Sequence, residues 1–252
     1  MFSFFKKKLA APESQSEDVR AKLRPLKRSA WVPVVQDGEG DLHACKFSGI
    51  PWLGEAEEWP VCPSCKKPMQ LFVQLNLSRL PSRPEGCPKT GLVQLFYCTS
   101  SEPLCECDCE AYSPGSKSVV ARLVQPVGNG RKMAGSPVEE AFPPKLITGW
   151  EEREDYPNGE EMQEHGLNLS DAESEALEEM NVPLSGEKLF GWPAWVQGVE
   201  YPACPECGIR MQLLFQVDSE VNIPYMFGDC GCGHLTQCPK HPEHLAFGWA
   251  CS

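Results

Sequence analysis

The sequence predicts an α+β protein rich in β-structure, with two internally duplicated antiparallel sheet lobes that each carry a Cys-Pro-x-Cys metal knuckle. Three observations predict this fold class. The chain matches itself without a gap when Cys62 is aligned with Cys204, and we call this alignment the repeat offset. The same cysteine spacing stands in both copies. Each copy then continues with a segment whose apolar residues alternate as in a strand.

The two copies of the repeat share many identical residues. Of the 28 positions from 49 to 76, eleven are identical in the second copy, far more than composition alone would give. They are Gly49, Pro51, Glu58, Pro60, Cys62, Pro63, Cys65, Met69, Gln70, Leu71 and Gln74, which recur in order as Gly191, Pro193, Glu200, Pro202, Cys204, Pro205, Cys207, Met211, Gln212, Leu213 and Gln216. Each copy therefore has the same predicted order of a loop, a Cys-Pro-x-Cys turn and a strand.

Three strands are predicted in each copy. The first covers residues 69–75 and 211–217, where apolar residues at every second position indicate a strand with one buried face. The second covers residues 91–98 and 233–238, and both segments end on a cysteine. The third, over residues 119–124 and 245–251, would close each lobe.

The remaining segments divide the chain into four predicted regions. Residues 1–30 are expected to form a flexible basic arm, 31–125 the first lobe, 126–183 a connection with an acidic insert, and 184–252 the second lobe. Ser170 and Glu173 have the spacing of a capping box, which predicts a short surface helix. The insert otherwise lacks the apolar spacing of a core element. Deletion of residues 155–179 is therefore expected to leave the fold intact.

The acidic charge is concentrated in that insert. The net charge is −12, yet residues 151–180 hold twelve Asp or Glu and a single basic residue, Arg153. The rest of the chain is nearly neutral and has no excess of Lys and Arg to bind the phosphates of a nucleic acid duplex. The acidic segment would instead attract a basic protein over a long range.

Composition and signals predict a cytoplasmic, metal-binding protein with no membrane association. No apolar run approaches the roughly 20 residues of a membrane span, and the N-terminal residues lack the order of a signal peptide. The chain has 14 cysteines. In a reducing compartment disulfides are rare, and clustered thiols more often bind a metal.

The cysteine spacing predicts two zinc ions, one in each lobe. Two residues between a pair of thiols allow both sulfurs to face one ion, and a structural zinc site needs four ligands. The predicted ligands of the second lobe are Cys204, Cys207, Cys238 and His241. Those of the first lobe are Cys62, Cys65, Cys98 and Cys105, with Cys109 as the second choice for the last position and Cys107 also nearby. A pseudo-twofold arrangement of both knuckles around one ion is the alternative.

Several motifs resemble those of known families. They are the segments 49–52, 62–71, 91–98, 201–208, 226–229 and 234–239. On these motifs the chain, from about Trp31 onward, resembles the YwqG-like family of uncharacterised bacterial proteins. More distantly, Phe-Tyr-Cys98 and Glu-Pro-Leu-Cys105 are similar to motifs of the eukaryotic programmed cell death protein 2 family, whose members are implicated in small-ribosomal-subunit assembly and in chaperoning a ribosomal protein. The resemblance implies a binding or assembly role.

The favoured function is therefore a noncatalytic, zinc-stabilised protein-binding module that acts as a chaperone or assembly factor for a basic client. One alternative is single-stranded RNA binding by aromatic stacking. Its candidate residues are Trp52, Trp59, Trp192 and Trp195.

A zinc-dependent hydrolase is the other alternative. Its available polar groups are Asp229, His234 and His244. A catalytic zinc keeps an open coordination position, whereas both predicted groups have enough ligands to close. The motifs of zinc proteases, serine hydrolases and phosphate-binding loops are also absent from the sequence.

Paired glutamines are the last repeated feature. Strand alternation places Gln70 and Gln74 opposite the apolar face, and Gln212 and Gln216 occupy the matching positions. They would either coat a solvated sheet face or line a shared groove that binds an extended peptide. If they line a groove, leucine at Gln74 and Gln216 should abolish partner binding without lowering stability.

Overall fold

The computed structural model describes residues 13–178 and 180–252, so the first twelve residues of the predicted arm lie outside the described residues. The strands are β1 (Arg28–Asp37), β2 (Lys46–Phe47), β3 (Gln70–Asn76), β4 (Leu92–Tyr97), β5 (Val119–Val124), β6 (Lys145–Asp155), β7 (Lys188–Phe190), β8 (Gln212–Asp218), β9 (Cys232–Gln237) and β10 (Leu245–Ala250). The helices are α1 (Glu13–Leu23), α2 (Cys105–Asp108), α3 (Gly159–Glu164) and α4 (Asp171–Glu178). Among the described residues, no helix has both the length and the apolar character needed to cross a membrane.

These strands form one antiparallel sheet in the order β10-β9-β8-β7-β1-β6-β2-β3-β4-β5. From either end the order passes through four strands to the central pair, β1 and β6. The end strands β5 and β10 contact each other, and beside them Trp249 N donates to Tyr112 O at 3.1 Å. The sheet is thus nearly closed. The β-rich class is as predicted, but the two halves share a continuous sheet instead of forming two separate lobes.

The central strands exchange partners between the halves. β1 pairs with β7 in the second half, where Ala30 lies opposite Phe190. β6 pairs with β2 in the first half, where Lys46 lies opposite Leu146. β1 and β6 also pair with each other along nearly their whole length. The sequence prediction placed β6 in the connection and insert, because its second half is exposed and carries no apolar alternation.

The pairing of the outer strands matches at the repeat offset. Lys46 of β2 lies opposite Gln74 of β3, and Lys188 of β7 lies opposite Gln216 of β8. The register shifts of the next strand pair also fall at matching places, between Leu71 and Val73 and between Leu213 and Phe215.

Both faces of the sheet are buried, whereas the alternation predicted strands with one buried face. One face packs inside the nearly closed sheet, where Phe72, Tyr97 and Phe215 belong to the main core. The other face of β3 and β4 carries Leu71 and Phe96, which pack beneath the cysteine-bearing loops. All seven residues of β3 are buried as a result. The polar positions of these strands therefore face loops instead of solvent.

The N-terminal segment and the acidic insert pack against each other. Val19 and Leu23 of α1 are buried with Tyr156, Met162 and Leu177 in a separate apolar cluster. This differs from the flexible arm predicted over residues 1–30. It also contradicts the expectation that residues 155–179 can be deleted without cost, because the deletion would remove the apolar partners of α1.

Helix α4 begins with the capping box that the sequence predicts. Ser170 N donates to Glu173 Oε2 at 2.7 Å, and Glu173 N donates to Ser170 Oγ at 3.4 Å. Lys22 of α1 forms an ion pair with the same glutamate at 2.9 Å. The helix thus exists where predicted, but one of its faces is packed on α1.

Candidate metal centres

A tight loop places Cys62 and Cys65 on one side of the first candidate site. Lys66 N donates to Cys62 O at 2.9 Å, and Cys62 N donates to Lys67 O at 2.9 Å. Lys66 adopts the left-handed backbone conformation, with a φ of 64°. The turn directs both sulfurs toward the end of β4.

Cys98 and Cys105 complete the first group. Cys98 follows β4 and Cys105 begins α2. The Sγ atoms of Cys65 and Cys98 are 3.5 Å apart, and those of Cys62 and Cys105 are 3.9 Å apart. All four sulfurs lie within 4.8 Å of one another. The group contains the first choice for its last ligand, while Cys107 and Cys109 lie outside it.

The second group has the same plan with one histidine. Gly208 N donates to Cys204 O at 2.8 Å and closes the turn. Cys204 Sγ lies 3.7 Å from Nδ1 of His241, and Cys207 Sγ lies 3.7 Å from Cys238 Sγ. His241 N also donates to Cys238 Sγ at 3.3 Å. The four predicted residues are thus brought together.

Glu206 holds the ring of His241. Its Oε1 lies 3.2 Å from Nε2 of His241, and its Oε2 lies 3.0 Å from Nε2 of His244. A carboxylate on the far nitrogen fixes the orientation of a ligating imidazole. The hydrogen bond to Glu206 also raises the pKa of His244. The repeat does not single out Glu206, because the first copy has Ser64 at the matching position.

The two groups are separate. Each draws its ligands from one half of the chain, so the alternative with both knuckles around one ion is wrong for this structure. All 14 cysteines are free thiols. The seven outside the groups are Cys45, Cys87, Cys107, Cys109, Cys230, Cys232 and Cys251.

Crowding of thiols favours one thiolate in the first group. Burial opposes ionisation of Cys65, but hydrogen bonds from Lys67 and from the neighbouring thiols outweigh it and lower its pKa to about 7. Burial raises the pKa of Cys105 to about 12. Since the thiolate is the metal-binding form, the lowered pKa of Cys65 would favour metal binding over that of Cys105.

A buried ion pair joins β6 to β7. The side chains of Asp155 and Lys188 are both 0% exposed, and Lys188 Nζ donates to Asp155 Oδ2 at 2.7 Å. Trp192 N donates to the same oxygen at 2.8 Å. Tyr156 N and Leu184 N donate to Oδ1 at 3.0 and 2.8 Å. The carboxylate therefore accepts four hydrogen bonds and donates none.

The first half has a corresponding pair and a glycine beside it. Lys46 Nζ donates to Glu39 Oε1 at 2.7 Å, but the glutamate side chain is 38% exposed. Gly49 has a φ of 77°, and a Cβ there would collide with the carboxylate of Glu39. Gly191 has a φ of 75°, and a Cβ would collide with that of Asp155. This explains why the repeat has glycine at both positions.

The glutamines predicted to bind a partner are instead bonded within the chain. Gln74 is buried; its Oε1 accepts from Trp52 N at 2.9 Å, and its Nε2 donates to Leu42 O at 2.9 Å and to Ala44 O at 3.0 Å. Gln216 makes the same three contacts at the matching residues Ala194, Leu184 and Gly186. Each amide thus fastens a loop onto the sheet.

The other two glutamines also bond to backbone. Gln70 is buried and donates to Glu140 O at 2.6 Å, and the partly buried Gln212 donates to Glu85 O at 2.9 Å. The burial of Gln70, Gln74 and Gln216 contradicts a solvated sheet face, whereas binding of a partner by the four glutamines stays a prediction. Loops cover the face that alternation assigned to solvent.

Gln216→Leu is consequently expected to destabilise the protein. The change leaves Ala194 N and Gly186 O without partners, at about 1–3 kcal/mol for each that water cannot reach, while Leu184 O keeps its hydrogen bond from Lys188 Nζ. We expect the free energy of unfolding in urea to fall by roughly 2–4 kcal/mol. Gln212→Leu is the matched control and should cost under about 1 kcal/mol, since it loses one hydrogen bond at a partly exposed site. Equal stability of the two variants would contradict this role.

The residues of the hydrolase alternative are not assembled. Asp229 is exposed, while His234 is buried and its pKa is lowered to about 3 by burial. His244 bonds to Glu206 instead. Among the described residues, no hydrogen bond or ion pair joins any two of these three side chains. They do not form an acid–base pair beside either candidate centre.

Three of the four tryptophans proposed for stacking RNA bases are buried. Trp52, Trp59 and Trp192 are each at most 7% exposed. Trp59 Nε1 donates to Met69 O at 2.8 Å. Trp195 alone is partly exposed. An aromatic platform for single-stranded RNA is therefore not formed by these residues.

These observations define a β-rich protein with a nearly closed antiparallel sheet and two cysteine-rich groups that could each hold a metal ion. The chain belongs to the family described as a domain of unknown function (DUF1963), which matches residues 45–244. The matched range begins just before β2 and includes both groups. No curated protein matches the chain. The resemblance to the YwqG-like and programmed cell death protein 2 families stays a prediction.

Proposed function

We propose that this protein is a noncatalytic protein-binding module whose fold is stabilised by two zinc ions. One observation carries the proposal: each cysteine-rich group supplies four ligands. Structural zinc sites have four protein ligands, whereas catalytic sites keep one position for water or substrate. Bound zinc would supply folding free energy here and no reactive position.

The distances within the groups fit zinc. A tetrahedral ion with Zn–S bonds of about 2.3 Å requires about 3.8 Å between two sulfurs, and about 3.6 Å between a sulfur and an imidazole nitrogen. The close sulfur pairs are 3.5, 3.9 and 3.7 Å apart, and the sulfur–nitrogen pair is 3.7 Å apart. Disulfides would need about 2.05 Å. The thiol-rich donor sets also favour zinc over calcium or magnesium.

The two halves are, in this proposal, copies of one ancestral unit. The sequence repeat, the matched strand registers and the three equivalent contacts of Gln74 and Gln216 support it. Both copies retain a four-ligand group, which indicates that each group serves the fold of its own half. A catalytic role would more readily be confined to one copy.

Charge favours a basic protein as the partner. Acidic side chains of the insert are exposed at Glu151, Glu152, Glu154, Glu160, Glu164, Asp171 and Glu175. Lys27, Arg153 and Arg210 neutralise three of them through ion pairs with Glu154, Glu151 and Glu164. Among the described residues, Glu152, Glu160 and Glu175 form no ion pair. The insert thus presents negative charge on a packed scaffold, which suits long-range attraction of a basic client.

Affinity capture from the native cell, followed by mass spectrometry, tests this function. The wild-type chain is expected to capture a basic protein. A triple variant with Glu152→Gln, Glu160→Gln and Glu175→Gln should bind the purified partner more weakly. The loss of affinity should be largest at low salt, about 50 mM, where charges are least screened. Zinc content and melting temperature should stay unchanged.

The matched control removes the same charge elsewhere. Glu55, Glu102 and Glu139 are exposed and lie outside the insert, so their replacement by glutamine should leave affinity near that of the wild type. If both triple variants lose the same affinity, the insert has no specific role. If the wild-type chain captures no reproducible protein partner, the proposed function is wrong.

A further inference from the structure

One cross-strand row of the sheet differs between the halves. In the first half Gln74, Gln94 and Arg122 lie side by side on β3, β4 and β5. In the second half the row consists of Gln216, His234 and Gly248. The first half therefore has an arginine where the second has no side chain.

The guanidinium group of Arg122 occupies the end of this row in the first half. Its Nε donates to Gln94 Oε1 at 2.9 Å, and its Nη1 forms an ion pair with Glu57. The guanidinium carbon also lies 5.3 Å from the centre of the Phe96 ring. The first half thus shows how this position accommodates a cation: a carboxylate from the adjacent loop pairs with it, and an aromatic ring lies below it.

The second half has a cavity at this row. Its walls include Gly248, His234, Trp195, Trp249 and Tyr112. The rings of Trp195 and His234 are 4.6 Å apart, and those of Tyr112 and Trp249 are 6.0 Å apart and nearly perpendicular. Tyr112 is 47% exposed at the surface beside the cavity. Aromatic rings thus form much of the wall of this cavity.

A carboxylate is also present. Glu200 lines the cavity, and at the repeat offset it matches Glu58, the residue after the partner of Arg122. Among the described residues Glu200 has no ion pair. His234 carries no positive charge near neutral pH, because burial lowers its pKa to about 3. Gly248 takes the position of Arg122 in the row, and Pro114 lies against it, with ring atoms 3.1 Å from where a Cβ of Gly248 would be.

Trp195 adds a donor. Its indole Nε1 is buried and has no hydrogen-bond partner among the described residues. A buried donor without an acceptor is costly, so a ligand with a carbonyl oxygen would relieve it. An arginine within a peptide offers both a guanidinium group and neighbouring carbonyls.

We infer that this cavity binds the guanidinium group of an arginine side chain from the client protein. Guanidinium stacks on aromatic faces and pairs with carboxylates, and the cavity offers both. The inference rests on the proposed protein-binding function and names the residue of the client that is recognised. In the first half the chain's own Arg122 takes the corresponding place.

Calorimetric titration of the zinc-loaded full chain tests the site with three probes. They are N-acetyl-arginine amide, its neutral analogue N-acetyl-citrulline amide, and free L-arginine. We expect saturable binding of the first and at least about tenfold weaker binding of the citrulline analogue. Free arginine should also bind more weakly than the amide, because its ammonium and carboxylate groups replace the neutral neighbouring carbonyls and must be desolvated. Binding of the neutral analogue with equal affinity would overturn the inference.

Two variants locate the site. Glu200→Gln removes an exposed charge and should weaken the binding of N-acetyl-arginine amide about tenfold or more, as expected for a lost charge-assisted hydrogen bond. Trp195→Leu introduces the residue that the first half has at the matching position, Leu53, and should weaken it similarly. Glu58→Gln is the matched control and should have no effect. Zinc content and melting temperature are measured for all three.

The outcomes separate this inference from the proposed function. If the wild-type chain captures a basic client but Glu200→Gln binds N-acetyl-arginine amide as tightly as the wild type, the inference is wrong and the function stands. If free L-arginine binds more tightly than the amide and no protein is captured, the inference of a client protein is wrong and the cavity binds a small guanidino compound. Loss of both probe and client binding in Glu200→Gln supports the inference.

Discussion

Removal of metal is expected to unfold the protein. Elemental analysis of chain purified without added metal should give two zinc ions per molecule. A structural zinc site contributes an apparent folding free energy of about 10–16 kcal/mol at neutral pH, while whole domains are stable by only about 5–15 kcal/mol. Cys62, Cys98 and Cys105 also belong to the apolar cluster that covers the outer sheet face. A strong chelator should therefore abolish the cooperative thermal transition.

Single cysteine variants separate ligand loss from thiol loss. Cys98→Ser removes one ligand and should lower both the zinc content and the melting temperature strongly. Cys107→Ser changes an exposed thiol outside the group and should alter neither. A chelated chain that keeps its melting temperature, or a chain that contains no metal as purified, would contradict the zinc proposal.

Asp155→Asn is expected to destabilise the protein by about 3–5 kcal/mol, although the side chain keeps its size. The variant leaves Lys188 buried without its counter-ion, which is the costly way to break a buried pair. The carboxylate also accepts four hydrogen bonds, whereas the amide would direct its own N–H groups at one pair of donors. Urea denaturation of the zinc-loaded protein measures the loss.

The pH dependence of that loss has a definite sign. Burial lowers the pKa of Lys188, and Asp155 opposes this effect in the wild type. Without Asp155 the folded variant binds fewer protons than its unfolded chain below the ordinary lysine pKa of about 10.4, so its stability rises with pH. The difference in the free energy of unfolding between the variant and the wild type should therefore become smaller as the pH rises from neutral to alkaline. A constant difference would show that the lost hydrogen bonds dominate.

Glu39→Gln is the matched control in the first half. The side chain of Lys46 is buried like that of Lys188, but Glu39 is 38% exposed, so water screens this pair more than the pair of Asp155 and Lys188. We expect a smaller loss than for Asp155→Asn, because the carboxylate is already partly solvated in the wild type and Lys46 keeps its hydrogen bond to Ile50 O. A loss as large as that of Asp155→Asn would show that exposure does not set the cost of breaking these pairs.

The sequence was informative wherever a local pattern determined the structure. All eight proposed ligands lie in the two groups because Cys-Pro-x-Cys turns and strand ends position them over short distances. Strands β3 and β8 were predicted from their alternation, the two strands that follow in each copy from their order, and α4 from its capping box. The strands β1, β2, β6 and β7 were not predicted; β6, for example, is largely exposed along its second half and is defined by pairing with β1 instead of by apolar residues.

The buried polar residues could not be assigned from alternation alone. Gln74 and Gln216 occupy the positions that a half-buried strand gives to solvent, yet loops that come from elsewhere in the chain cover them. The sequence contained one indication that this face holds buried polar residues. Lys46 and Lys188 are also identical at the repeat offset, shortly before the repeated glycine, and a repeated lysine beside a strand suggests a repeated partner.

The exchange of β1 and β6 makes the two halves interlock. Each half contributes its first strand to the sheet of the other, so a cut in the connection would leave β2 and β7 with unsatisfied edges unless both fragments stayed together. Neither half can close its own sheet from its own residues. We therefore expect loss of a metal ion at either centre to disturb strands of the opposite half as well, so that both halves unfold in one cooperative transition.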